Sequence, residues 1–101
     1  MAQRQKLQTL LETILASDHV YFQPPTSVQM AYPCIVYQRD YANTTFADNA
    51  PYTHTKRYMV TVIDRDPDST TVDKVAMLPR CLFSRHFVAD GLNHDAYSLY
   101  F

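Results

Sequence analysis

Apolar residues at Leu7, Leu10, Leu11, Ile14 and Leu15 recur at intervals of three and four, which places them on one stripe of a helix. Arg4, Lys6, Gln8 and Glu12 fall on the other faces, so the pattern predicts an amphipathic helix over about Gln3–Ala16 that stops near Ser17-Asp18. His19–Phe22 reads as a short extended piece, and Pro24-Pro25 forbids a helix beyond it. From Pro33 the period shortens. Cys34–Tyr41 reads as a strand with two apolar faces, Cys34 and Val36 pointing one way and Ile35 and Tyr37 the other, so that both faces need cover. Lys56–Asp64 is the strongest strand signal, with Tyr58, Val60 and Val62 on one face and Met59, Thr61 and Ile63 on the other.

Asp66-Pro67-Asp68-Ser69 breaks that strand, and Ser69 or Asp68 can cap a following helix. Val72, Val75 and Ala76 form its inward stripe and Pro79 ends it. Cys81–Ala89 and Asp95–Phe101 read as strands joined by the hairpin connection Asp90-Gly91-Leu92-Asn93, which holds the chain's one glycine. Ala42–Thr55 is polar, has no period and contains Phe46 and Tyr52. A structureless stretch of that length is uncommon in a compact domain and is often functional, so it reads as an arm. Pairing neighbouring strands as hairpins gives a single α+β domain over residues 1–101, an antiparallel four-stranded sheet with two helices packed on one face.

Composition narrows the function. Nine Lys and Arg against ten Asp and Glu leave a net charge of −1, without the basic footprint of a nucleic-acid binder. Two cysteines, Cys34 and Cys81, are too few for a disulfide framework, and each sits in an apolar run, as a buried free thiol would. The first residues open an amphipathic pattern and not an apolar signal segment, and no run approaches the roughly 20 apolar residues that cross a membrane. The expectation is synthesis in a reducing cytoplasm.

The usual motifs of chemistry are missing. One glycine is too few for a Walker loop or a dinucleotide fingerprint, and there is no C-x-x-C, H-E-x-x-H or G-x-S-x-G. Asp64, Asp66 and Asp68 begin like a calcium loop, but the sixth position is Ser69 and the twelfth is Val75, so helix capping is the better reading. His19, His54, His86 and His94 are spread over different elements, without the spacing of a Cys–His pair. No catalytic residue, metal ligand or cofactor is expected. What remains is assembly. The two-faced strands carry Tyr32, Tyr37, Tyr41, Tyr58, Tyr97 and Tyr100, with Tyr52 beside them on the arm, and tyrosine is favoured at interfaces.

Four stretches carry a resemblance. They are Tyr32-Pro33-Cys34-Ile35-Val36-Tyr37 with Arg39-Asp40; Asn43 with Phe46-Ala47-Asp48; Tyr58-Met59-Val60-Thr61-Val62-Ile63-Asp64 with Asp66-Pro67-Asp68; and Phe87-Val88-Ala89-Asp90-Gly91-Leu92-Asn93-His94-Asp95. Together they resemble the small tail-terminator, tail-completion or minor tail proteins of long-tailed bacteriophages, over most of Tyr21–Phe101. The resemblance implies a virion protein of the tail and neck, assembled in the host cytoplasm. It implies a homohexameric ring that caps the tail tube, ends tube growth and docks the head connector, while DNA passes the lumen without specific binding. On that likeness Phe46, Asp48, Tyr52 and His54 of the arm would meet the tail tube or a neighbouring subunit. The alternatives are a head-closure or stopper subunit of the neck, a small metal-dependent phage enzyme such as a nuclease using Asp64, Asp66 and Asp68, or a stand-alone regulatory module.

Overall fold

A computed structural model describes residues 3–24, 29–47 and 50–101, with side chains described for all of these except residue 3, 40–47 and 50–55. The elements run α1 (Gln3–Leu15), β1 (Val20–Phe22), β2 (Cys34–Ala47), β3 (Ala50–Asp64), α2 (Thr70–Ala76), β4 (Cys81–Ala89) and β5 (Leu92–Tyr100). The five strands form one sheet in the order β1-β2-β3-β5-β4.

Both helices lie on one face. Leu7 and Leu11 of α1 and Val75 of α2 are fully buried against Val20, Ile35, Tyr37, Tyr58, Val60, Val62, Tyr97 and Leu99, with Leu10, Ile14, Leu15 and Val72 at the margin. The helical stripe of α1 is thus the one its spacing predicts. In α2 the cap is Ser69, whose Oγ accepts the Thr71 N–H at 3.2 Å. Ala76, expected on the inward stripe, is exposed, because a seven-residue helix ends there before its second turn can bury it.

A polar link also ties α1 to the sheet. The hydroxyl of buried Tyr37 donates to Gln8 Oε1 and accepts from Arg4 Nη1 at 3.3 Å. Gln8 Nε2 in turn donates to the Val20 carbonyl at 3.0 Å, and the Arg4 guanidinium lies 4.7 Å from the centre of the Phe22 ring. One tyrosine therefore orients the helix against β1 and β2 together.

Three features depart from the sequence reading. The sheet has five strands and is mixed, not four-stranded and antiparallel: His19–Phe22 supplies β1, which pairs parallel to β2 through Val20↔Ile35, Tyr21↔Val36 and Phe22↔Tyr37. Three residues are too few to show a period, and a parallel pair needs the long crossover that residues 23–33 provide. The stretch Ala42–Thr55 is not a structureless loop. Its described residues continue β2 and β3, paired from Ala42↔Lys56 to Ala47↔Ala50. Asn, Asp, Pro and Ala are depleted in strands, and without an apolar alternation the stretch carries no strand signal of its own; its pairing is set by the partner strand. Finally, the β4–β5 turn is two residues long, Asp90 and Gly91, not four, so β5 begins at Leu92 instead of Asp95. Both turn residues have positive φ, 53° and 73°, as a type I′ hairpin requires.

Helix α1 ends in a left-handed residue. Ala16 has φ 58°, its N–H reaches Thr13 O, and the Ser17 N–H reaches Glu12 O at 3.2 Å, the hydrogen-bond pattern of a Schellman cap. Alanine holds this conformation at a cost of roughly 1–2 kcal/mol. Ala16→Gly is expected to stabilise the fold by up to about 1 kcal/mol, or roughly 4–8 °C in thermal midpoint, read by calorimetry or circular dichroism.

Candidate assembly surface

Three surfaces are left after the helices have packed. The first is the arm. Beyond Tyr37, β3 is the one strand that pairs with β2 among the described residues, and before Arg57 β2 is the one strand that pairs with β3; at the base the Arg39 N–H donates to Gln23 Oε1 at 3.4 Å and the Lys56 carbonyl accepts the Phe101 N–H at 3.1 Å. The result is a two-stranded ribbon of about 30 Å. It gives the molecule extents of 51 × 24 × 23 Å and a radius of gyration of 14.6 Å, against about 13 Å for a compact chain of this length.

The arm residues singled out by sequence fall on this ribbon. Phe46 pairs with Pro51 and His54 with Thr44, while Tyr52 is the extra residue at the register shift next to Thr45 and Phe46. The side chains of Phe46, Tyr52 and His54 lie outside the described residues, as does Asp48 altogether.

The second surface is the sheet face opposite the helices. Cys34, Ile63 and Leu92 are buried there under Tyr21 of β1 and Met30 of the β1–β2 crossover, so the described residues cover one end of this face. The rest is a groove of about 450 Å³ lined by Val36, Gln38, Met59, Thr61, Ser84, Arg85, Phe87 and Ala96. Its side wall is a stack: the Arg85 guanidinium lies 4.9 Å from the Phe87 ring centre, and Phe87 lies on the His94 ring at 4.6 Å and 14°. His94 Nδ1 is 3.1 Å from the Leu92 carbonyl.

The third surface is the β4 edge, which sequence reasoning did not single out. Leu82 (65% exposed), Phe83 (61%) and Val88 (62%) stand in solvent, with Phe87 partly so. Register places Leu82 and Phe87 on the open face and Phe83 and Val88 on the helix side, where α2 is too short to reach them. Phe83 meets Tyr97 edge to face, with ring centres 5.7 Å apart. The Cys81–Ala89 run advertised two apolar faces in the sequence; what it could not show is that β4 would be outermost. The tyrosines point the other way. Tyr37, Tyr58 and Tyr97 are core residues, and Tyr32 is the tyrosine among the exposed large apolar side chains.

The residues weighed for chemistry are engaged locally. Asp64 Oδ1 accepts the Asp66 N–H at 3.0 Å and Asp66 Oδ1 accepts the Asp68 N–H at 2.9 Å, so two of the three carboxylates shape the turn before α2. Among the described residues no three His, Cys, Asp or Glu side chains are grouped to hold a metal. His86 Nε2 lies 3.3 Å from Asn93 Oδ1, and Asn93 Nδ2 donates to the Asp64 and Arg65 carbonyls, tying the β4–β5 hairpin to that turn. His19 is 3.9 Å from Asp18. Both cysteines are free. Burial pushes the Cys34 thiol up to about 11, helped by Asp64, and raises Cys81 as well, so both stay protonated at neutral pH.

No family model and no curated protein matches the chain. No helix among the described residues is long and apolar enough to cross a membrane.

Two outcomes follow from the burial pattern. Burial raises Cys34 from 9.0 to about 11 and Tyr97 from 10.0 to about 12, so above pH 9 the unfolded chain sheds these protons first. Stability is therefore complete below pH 9 and falls as pH rises toward 12; denaturant titrations across that range check it, and Tyr97→Phe flattens the upper part of the fall. Leu82→Lys and Val88→Lys should each change folding stability by no more than about 0.5 kcal/mol, whereas Leu11→Ala should cost about 2–5 kcal/mol in the same titrations.

Proposed function

We propose that the protein is a structural subunit of a bacteriophage neck, a tail terminator that assembles as a ring on the last ring of the tail tube. It ends tube growth and offers the docking surface for the head connector. The observation that carries this reading is the arm. A two-stranded ribbon that no third strand flanks among the described residues is at best marginally stable in water, so its order is coupled to a partner. The partner is the tail tube or a neighbouring subunit, met through the segment that holds Phe46, Asp48, Tyr52 and His54.

The rest of the molecule is consistent with a part that works by shape. The apolar β4 edge and the uncovered sheet face suit a subunit with several neighbours, and the net charge of −1 suits a ring that lets DNA slide past. An open sheet with both helices on one face fits a terminator better than the barrel-like fold expected of a stopper. The protein acts through surface complementarity and not by catalysis: one side copies what a tube subunit presents, and the other accepts no further tube ring.

Phage lacking this protein should produce full heads and separate tails of excess or irregular length, scored by electron microscopy of lysates. Tails of normal length joined to heads would refute the reading. Trimming the ribbon around Phe46–Tyr52 should leave the thermal midpoint within a few degrees of wild type and abolish tail capping; full capping by the trimmed chain would remove the arm from the mechanism.

A further inference from the structure

We propose that the bare edge of β4 is the acceptor for the arm of a neighbouring copy, so that one chain's ribbon extends the next chain's sheet. The proposal rests on the ring reading and names the contact that builds the ring.

The backbone of β4 defines the kind of partner. The Tyr100 N–H bonds the Arg80 carbonyl, and the two-residue turn closes the Ala89↔Leu92 pair. Alternation along the strand, with the register shift between Phe83 and Arg85, then points the N–H and C=O groups of Phe83, His86 and Val88 away from β5. A row of unpaired backbone groups on an outermost strand is satisfied by an extended chain. Leu82 and Phe87 on one face, with Phe83 and Val88 on the other, flank that chain on both sides.

The chain carries the matching piece itself. Among the described residues no third strand flanks the ribbon, whose Arg39 N–H at the base is taken by Gln23 Oε1, and its strand Gln38–Ala47 is about as long as nine-residue β4. Pairing of β4 with β4 of a second copy is the obvious rival. Arg85 sits at the middle of the strand, and an antiparallel self-pairing centred there brings the two guanidinium groups opposite each other, which is unfavourable. The arm and β4 also lie on different parts of the sheet, since β5 separates β3 from β4. A contact between two different surfaces of identical chains is heterologous and closes into a ring when its rotation permits.

The test uses two defective chains that complement each other. His86→Pro removes an outward N–H and leaves the ladder to β5 intact, so it blocks the acceptor edge alone. In the second chain residues 44–54 are replaced by an Asn-Gly turn closing the Asn43↔Thr55 pair, so the donor is gone and β4 is untouched. Thermal melts establish that each is folded, and light scattering reads the mass. The wild type should form oligomers at its highest soluble concentration, each variant alone should be monomeric, and the mixture should give a one-to-one dimer and nothing larger. Val88→Lys, a milder block of the same edge, should weaken wild-type self-association at least tenfold.

Dimers of the arm-trimmed chain alone would overturn the proposal in favour of β4–β4 pairing. A mixture that stays monomeric while the wild type oligomerises would place the subunit contact elsewhere and leave the ring reading intact. A wild-type chain that stays monomeric overturns the proposal outright, and the ring reading is then decided by the tail-length phenotype, which is scored separately.

Discussion

A sheet of five strands presents two faces and two edges, and this chain has helices of only thirteen and seven residues with which to cover them. Both go to the same face, because their apolar stripes can be buried together there with the inward row of the sheet. That choice decides where everything else lies. Among the described residues the opposite face is covered at one end, by Tyr21 of β1 and Met30 of the crossover, β4 is left outermost with apolar side chains on both of its faces, and β2 and β3 run on past the last strand that flanks them.

The link between α1 and the sheet makes the arrangement specific. Hydrophobic burial alone would allow α1 to slide along its stripe. The Tyr37 hydroxyl, held between Gln8 and Arg4, gives the helix one position, and Gln8 passes the constraint to the Val20 carbonyl. The parallel β1–β2 pair and the helix position are therefore one feature. Losing the Tyr37 hydroxyl would loosen both, since half-buried Gln8 and Arg4 would each lose a hydrogen-bond partner on the sheet.

Much of the element plan was legible because burial on the helix side imposes a clear period. Leu7, Leu11, Val60, Val62 and Val75 each occupy the core role that their spacing implies. The departures occur where no period could be written. Val20–Phe22 is three residues long, and the polar stretch Ala42–Thr55 shows no alternation in its sequence. Ala16 is a further case: a left-handed cap filled by alanine carries none of the usual glycine signal.

The candidate assembly surface was legible only in outline. Two apolar faces on the strands and a long stretch around Phe46 and Tyr52 spoke for assembly, and the shortage of glycine and of metal-ligand spacing spoke against several chemistries. Tyrosine content did not separate core from surface, since a strand tyrosine is equally at home in a core: Tyr37, Tyr58 and Tyr97 are buried, while Tyr32 is exposed. Local periodicity was enough to say which residues form helices and strands and which side of each is apolar, because those follow from backbone geometry over a few residues. Strand order was decided by the tertiary structure alone. A strand is central or outermost only through its neighbours, and it was this placement that left Leu82, Phe83 and Val88 in solvent and turned an apparent loop into a two-stranded ribbon.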